Sequence, residues 1–323
     1  MFNSIFDIKN TTEFEEKALA IFHYQLEHNE VYGRYCKLLG KTDPQSINEI
    51  PFLPISFFKS HRVLIHNLEP QVTFTSSGTT GMTTSQHHVH DLSVYNQSLD
   101  QSFKWTYGNH KDYAVLALLP HYLERSGSSL VYMAQRWIEK SNHPSSGFYL
   151  NNIEELATVL KELKKNNQKV LLIGVTFALL QLAEQFPQEL PQTIIIETGG
   201  MKGMRKEIIK EELHGILNNA FAKASIQSEY GMTELLSQAY ARDGIHFNTP
   251  QWMKVLTRDT NDPLSLLDSS KTGGLNIIDL ANYNSCSFIA TQDLGKVMLD
   301  GTFQVLGRFD QSDIRGCNLM AVE

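Results

Sequence analysis

The sequence predicts an α/β protein: a mostly parallel sheet with helices on both faces, plus a small C-terminal antiparallel β subdomain. Three observations carry this. From Tyr113 to Gln227, continuous apolar runs alternate with amphipathic stretches, the pattern of strands buried on both faces between crossover helices. After Gly244 the apolar runs shorten and turn residues separate them, the pattern of hairpins. The chain has 323 residues, more than the roughly 250–300 that one hydrophobic core accommodates. The expected division is N-terminal helices with an α/β core over residues 1–244, and a β-rich piece over 245–323.

Taken in order, residues 12–40 read as helices. Thr12 with Glu15 makes a capping box. Phe14, Ala18, Ile21, Phe22 and Leu26 follow at helical spacing, and Tyr32, Tyr35, Leu38 and Leu39 continue the apolar face to Gly40. Cys36 belongs to the core of the second helix. The segment Ile50–Ser60 carries Pro51 and Pro54 and is expected to run extended and buried. Val72 to Phe74 and Gln86 to Val89 are strands flanking a Ser/Gly-rich loop, and Asp91 caps a helix through Tyr95 and Leu99. The His87, His88 and His90 cluster lacks a completing Cys or carboxylate and alternates across a strand, which argues against metal.

Then come a strand over Tyr113–Leu119, a helix over Ser129–Glu139, an amphipathic helix over Ile153–Lys165 and a strand over Lys169–Gly174. A helix over Phe177–Phe186, a strand over Thr193–Glu197, a helix over Met204–Leu217 and a strand over Lys223–Gln227 complete the alternation. Beyond it, His246-Phe247, Val255-Leu256, Gly274–Leu280, Phe288-Ile289 and Lys296–Met298 read as short strands of a barrel-like subdomain. Pro263 and Asp268–Gly274 read as exposed turns.

Composition removes several function classes. Apolar residues make up 41% and charged residues 20% of the chain, so it folds rather than remaining disordered. The net charge is −7 and no basic run occurs, which excludes nucleic acid as a partner. Three cysteines, Cys36, Cys286 and Cys317, are far apart and odd in number. They fit neither a disulfide framework nor a zinc site, and point to a reducing compartment. The first ten residues lack the charge and apolar pattern of a signal peptide, and no apolar run approaches the roughly 20 residues of a membrane helix. A cytoplasmic protein is expected.

The stretch Thr75-Ser76-Ser77-Gly78-Thr79-Thr80-Gly81 joins two strands with two glycines and five hydroxyls. Glycines let backbone approach a ligand, free N–H groups form an anion nest, and hydroxyls donate further hydrogen bonds. An ordinary turn is the alternative. A Walker loop is excluded, because no Lys occurs between Lys59 and Lys104. Parallel sheets bind ligands outside the carboxyl ends of their strands. There Ile196 is followed by Glu197-Thr198-Gly199-Gly200-Met201-Lys202, and Ile226 by Gln227-Ser228-Glu229-Tyr230-Gly231-Met232-Thr233-Glu234. Leu119 is followed by Pro120-His121.

Ser76 to Gly81 is similar to the phosphate loop of the adenylate-forming superfamily, which includes acyl-CoA ligases and peptide-synthetase adenylation domains. Tyr230-Gly231-Met232-Thr233-Glu234 resembles its Y-G-x-T-E segment. Ala290-Thr291-Gln292-Asp293-Leu294-Gly295 resembles its T-G-D-L-G segment. Gly307-Arg308-Phe309-Asp310-Gln311-Ser312-Asp313-Ile314-Arg315-Gly316 resembles its hinge motif. Met82-Thr83-Thr84 stands where the larger ligases carry Pro-Lys. The chain stops at Glu323, just past the hinge, so the resemblance implies a short form without the mobile C-terminal domain and its lysine. Ile50-Pro51-Phe52-Leu53-Pro54-Ile55, then Phe58-Lys59-Ser60, and Cys317 are similar to the acyl-protein synthetase (LuxE-type) family, and this resemblance covers nearly the whole chain.

The resemblance implies an N-terminal-domain-like adenylate-forming fold and an enzyme that activates a fatty or aryl acid with ATP and Mg²⁺. The acyl-AMP would be passed to Cys317. Ser76, Ser77, Gly78, Thr79, Thr80 and Gly81 would hold phosphates. Gly199, Gly200, Glu229, Tyr230, Gly231, Met232 and Thr233 would hold adenine and its surroundings, and Glu234 would hold Mg²⁺. Asp293 would bind the ribose hydroxyls, Arg308 the ribose or phosphate, and Lys202 would replace the missing lysine. His121 is either a gate to the acyl pocket or a plain strand-end residue. Arg315 and Arg308 would lower the Cys317 pKa, with a small buried residue as the alternative reading of Cys317. Phe57, Phe58, Phe177 and Leu235 would line the acyl group. An acyl reductase or a carrier protein is the implied partner. The alternatives are an acyl-CoA or carrier-protein ligase of the phenylacetate-CoA ligase type, and a non-catalytic nucleotide-binding protein.

Overall fold

A computed structural model describes residues 2–76, 84–119, 127–149, 152–199 and 208–308. In chain order these form α1 (Thr11–His28), α2 (Glu30–Leu38), β1 (Leu53–Pro54), α3 (Phe57–Ser60), β2 (Val72–Thr75), β3 (Gln86–Val89) and α4 (Leu92–Tyr107). Then follow β4 (Tyr113–Leu118), α5 (Ser129–Ser141), β5 (Gly147–Phe148), α6 (Ile153–Lys165), β6 (Lys169–Val175), α7 (Thr176–Gln185), β7 (Thr193–Thr198) and α8 (Lys210–Ala220). The remainder is β8 (Ser225–Tyr230), β9 (Ala239–Ala241), β10 (Met253–Arg258), β11 (Gly273–Asp279), β12 (Phe288–Val297) and β13 (Phe303–Arg308). Two compact units result: Leu68–Pro250, and the residues up to Asn67 together with those from Gln251 onward.

The Leu68–Pro250 unit holds a six-stranded sheet in the order β5-β4-β6-β7-β8-β9, parallel except that β9 runs antiparallel to β8. Every residue of β4 is buried, as is every residue of β6 after Lys169, so both faces of the sheet are covered. The parallel, doubly covered sheet is the one expected. Helix starts follow local capping: Asp91 accepts the Ser93 N–H at 2.8 Å and Ser128 accepts the Val131 N–H at 3.3 Å. The helix expected from Met204 is described from Lys210. β2 and β3 form a separate antiparallel hairpin.

The second unit is built on an open five-stranded sheet, β1-β12-β11-β10, with β13 also on β12. Among the described residues its order runs from edge to edge, where a barrel-like subdomain is expected from the sequence. β1 joins in parallel, with Leu53 opposite Ile289 and Pro54 opposite Ala290. The N-terminal helices, grouped by sequence with the α/β core, take their polar contacts here. Gln25 donates to the carbonyls of Asn282 and Tyr283 at 3.2 and 3.0 Å, and accepts from the Ser287 N–H at 3.1 Å. Asn29 donates to the Ser285 carbonyl at 2.8 Å. Both side chains are buried, and a buried amide must find partners.

Local differences from expectation have simple causes. α1 is capped by Asn10, which accepts the Glu13 N–H at 3.0 Å while Glu13 accepts the Lys9 N–H at 2.9 Å. This box replaces Thr12 and Glu15, since Asn caps at least as well as Thr. After Pro54 the extended segment turns into the short helix α3. Gly273 and Gly274 lie buried in β11 and are not turn residues. A Cβ on Gly274 would stand 2.6 Å from the Arg258 guanidinium carbon. Cys36 and Cys286 are both buried.

Candidate functional site

The site is built first at the carboxyl ends of β7 and β8. In their ladder Glu197 pairs with Ser228 and Thr198 with Glu229. Alternate residues face opposite sides of a sheet, so Glu197 and Ser228 share one face, and Thr198 and Glu229 the other. On the first face α8 supplies Lys210 and His214. Lys210 Nζ lies 2.8 Å and His214 Nε2 3.9 Å from Glu197 Oε1. Ser228 Oγ donates to the Gly244 carbonyl at 3.0 Å and so accepts from His214 Nε2 at 3.2 Å, which places a proton on that nitrogen. Gly244 has φ +84° and no room for a Cβ against the His214 ring. Burial alone would raise the Glu197 carboxyl, but the nearby His214 ring N–H and the Lys210 charge bring it down to about 2.

On the other face Glu229 has a hydroxyl where Glu197 has the Lys210 cation. Thr198 Oγ1 donates to Glu229 Oε2 in a short hydrogen bond. Burial, helped by the charge of Glu197, pushes the Glu229 carboxyl up to about 7. Its other oxygen occupies the space a Cβ on Gly231 would need, so the glycine of the Tyr230–Glu234 segment makes room for the preceding acid. Gly199 takes φ +70°, and its carbonyl accepts from Thr176 Oγ1 at 2.6 Å. Tyr230 closes β8 edge-on to Phe247, with ring centroids 5.8 Å apart, and Lys210 Nζ stands 4.7 Å from the Phe247 ring centroid. Thr233 and Glu234 form the turn that the Leu235 N–H to Met232 carbonyl bond closes, and Glu234 is buried.

The Ser/Gly stretch begins at the end of β2. Thr75 N–H donates to the Gly127 carbonyl at 2.8 Å and Ser76 N–H to the Ser85 carbonyl at 3.1 Å. Ser85 N–H returns a bond to Ser76 Oγ at 2.9 Å. Ser76 therefore staples the base of the stretch by accepting with its hydroxyl oxygen. Ser77, Gly78, Thr79, Thr80, Gly81, His121, Gly200, Lys202 and Cys317 lie outside the described residues, as do Phe309 to Gly316 of the hinge motif.

In the second unit Asp293 and Arg308 face each other across β12 and β13. Arg308 Nε donates to Asp293 Oδ1 at 3.1 Å, and the Asp293 side chain is buried while that of Arg308 is 80% exposed. Two residues expected to serve one nucleoside are thus brought together. The support beneath them carries no motif of its own. Arg258 is buried and donates to the Leu275 carbonyl at 2.8 Å, Asn276 Oδ1 at 2.9 Å and the Thr291 carbonyl at 2.6 Å. The Thr291 hydroxyl donates to the Leu275 carbonyl at 2.8 Å and accepts the Asp293 N–H at 3.1 Å. The signal was the Gly273-Gly274 pair, with Gly274 opposite Arg258 in the ladder and leaving room for the guanidinium.

The remaining expectations divide. Of the apolar lining, Phe58 and Leu235 are buried and Phe57 stacks on His61 at 5.0 Å. Burial pushes the Cys36 thiol up to about 12 and raises the Cys286 thiol strongly, so neither is a ready nucleophile. Among the described residues no cluster of three His, Cys, Asp or Glu gathers around a metal-sized gap. A single carboxylate at Glu234 still fits Mg²⁺, a hard cation commonly held by one or two carboxylates plus phosphate oxygens and water. Among the described residues no helix is long and apolar enough to cross a membrane.

Known proteins are similar to this chain in family and in fold. The family model described as acyl-protein synthetase, LuxE, matches residues 9–323. No curated protein sequence matches. Among solved structures, 2-hydroxyisobutyryl-CoA ligase in complex with 2-HIB-AMP and CoA is similar at TM-score 0.70 and 13% identity, over 94% of this chain and 70% of that one. ATP-bound MatB from Rhodopseudomonas palustris is similar at 0.55 and 15%, over 73% of this chain and 47% of that one. The luciferase-like enzyme from the nonluminescent Zophobas morio mealworm is similar at 0.53 and 16%, over 78% and 61%. At these identities the likeness is one of fold, and the match covers about half the length of MatB.

Proposed function

The chain belongs to the LuxE acyl-protein synthetase family, and from that premise we propose that it activates a carboxylic acid with ATP and transfers the acyl group to its own Cys317. The supporting observation is the position of Tyr230–Glu234. This segment follows directly on the carboxyl end of β8, beside the Glu197–Gly199 end of β7, where parallel sheets hold their ligands.

In the proposed reaction a carboxylate oxygen of the acid attacks the α-phosphorus of ATP, and the bond to pyrophosphate breaks. Catalysis of such a step is positioning and charge stabilisation. Ser76 to Gly81 would hold phosphate oxygens, Gly199, Gly200 and Glu229 to Thr233 would surround the adenine, and Asp293 with Arg308 would hold the ribose. Glu234 would hold Mg²⁺, which supplies charge neutralisation on the phosphates when bound. The Cys317 thiolate then attacks the acyl carbonyl and AMP leaves with the bonding electron pair. Two of the three cysteines are buried and held as thiols, which favours Cys317 as the acceptor. His121 would gate the acyl pocket and Lys202 would contact the reacting phosphate. A fatty or aryl acid, a downstream acyl reductase or carrier protein, and a cytoplasmic setting complete the reading.

The test is pyrophosphate exchange with a panel of acids, followed by intact-protein mass spectrometry of wild type and Cys317→Ala. An acyl adduct on wild type that disappears in C317A supports the reading. Acyl-CoA formation with no adduct would replace Cys317 by a diffusible thiol, and failure to exchange with any acid would reduce the chain to a nucleotide-binding scaffold.

A further inference from the structure

The strand that follows the Ser/Gly stretch carries His87, His88 and His90, and their partners differ in reach. His88 Nδ1 lies 2.9 Å from Thr73 Oγ1 on the facing strand, and His90 Nδ1 lies 2.6 Å from the Glu69 carbonyl. His87 is fully buried and reaches across the unit: its Nδ1 lies 2.8 Å from the Thr233 carbonyl. A carbonyl only accepts, so Nδ1 carries the proton and the tautomer is set by this contact.

Both ends of this bond are structurally defined. The hairpin is braced by four residue pairs between β2 and β3, and by the Ser76–Ser85 and Thr75–Gly127 bonds. The segment after Tyr230 has left the ladder and turns through the Leu235 N–H to Met232 carbonyl bond at 3.2 Å. Thr233 immediately precedes Glu234. A bond from a braced hairpin to that carbonyl fixes where the next residue stands.

We propose that His87 is a positioning residue which, through Thr233, sets the Glu234 carboxylate relative to the hairpin carrying the Ser/Gly stretch. The inference rests on the acid-activating reading. A misplacement of about 1 Å at such a site is enough to lower a rate by up to about a hundredfold.

Asn and Gln separate this role from simple space filling. Asn puts its amide nitrogen on the γ-carbon, where Nδ1 stands, whereas Gln puts it nearer the Nε2 position. In pyrophosphate exchange, His87→Gln should raise the Mg²⁺ concentration for half-maximal rate about tenfold, the effect of about one lost hydrogen bond. His87→Asn should stay within about threefold of wild type. Hydrogen exchange of residues 230–236 should quicken in H87Q and not in H87N. Equal Mg²⁺ dependence for H87N, H87Q and H87L, with wild type active, would overturn the proposal. Wild type inactive with every acid would sink the activity reading instead. Hydrogen exchange would then decide whether His87 holds the segment, with equal rates across the variants counting against it.

Discussion

Glu197 and Glu229 each stand one residue before the end of neighbouring parallel strands, both are buried, and they are one residue out of register with each other. Their protons behave oppositely, at about 2 and about 7. Depth is nearly the same for both, so burial does not decide the difference. The pleat does. Glu197 points to the face where α8 brings Lys210 and His214, while Glu229 shares its face with Thr198 and with Tyr240 across β8 and β9. The Tyr107 and Tyr240 hydroxyls are themselves pushed far up, by burial first and by Glu229 among the further causes. A charged pair and an acid that titrates near neutrality therefore stand back to back at the place where ligands are expected.

The sharpest way to break this contrast is to remove the cation. Lys210→Met should destabilise the fold by about 4 kcal/mol, because it leaves a buried carboxylate short of its partner. Urea unfolding measures it, and adding Glu197→Gln should restore a large part of the loss. An unchanged midpoint in K210M would mean that His214 alone holds Glu197.

Next in size is a pH dependence of two signs. Glu197 binds its proton less tightly folded than at its ordinary value of 4.5, so its contribution is present above pH 4.5 and is lost as pH falls through about 2. Glu229 binds its proton more tightly folded. Its contribution is complete below pH 4.5 and is lost as pH rises through about 7. Wild-type stability should fall by about 3 kcal/mol between pH 4.5 and pH 7 on account of Glu229. Denaturant titrations across that range should show the slope in wild type and a flatter one in Glu229→Gln. The same slope in both would show that Glu229 is ionised throughout.

The smallest expected effect refines the neutral side. Thr198→Val removes the hydroxyl that favours ionised Glu229, so the falling limb should move to higher pH, with a loss of about 1 kcal/mol at neutral pH. A limb moving to lower pH would mean that Thr198 stabilises the neutral acid instead.

Legibility in the sequence followed the range of the forces involved. The parallel strands were visible because a strand buried on both faces, such as Ala114–Leu118 or Val170–Ile173, reads as an unbroken apolar run. Asp91 announced its helix, since a cap acts within three residues. Asp293 and Arg308 were both singled out by motif, and the ladder then made them neighbours. Partners distant in the chain were hidden. Nothing local says that Gln25 and Asn29 will bond the carbonyls of residues 282–285, or that His87 will meet Thr233. Gly273-Gly274 looked like a turn because a glycine that clears space for a buried Arg258 has the same letters as one that bends the backbone.

The pairing of β1 with β12 sets an order on synthesis. Leu53 and Pro54 leave the ribosome early, but Ile289 and Ala290, which they join, are made more than two hundred residues later. At 5–20 residues per second the N-terminal helices wait roughly 10–50 seconds for that strand. The contiguous stretch Leu68–Pro250 can fold in the interval. Through it, Phe14, Ile21 and Phe22, all buried in the finished unit, lack the sheet that completes their surroundings. A nascent chain folding in this order has one unit closed while an apolar helix pair awaits its sheet, the stage at which a holding chaperone would have most to bind.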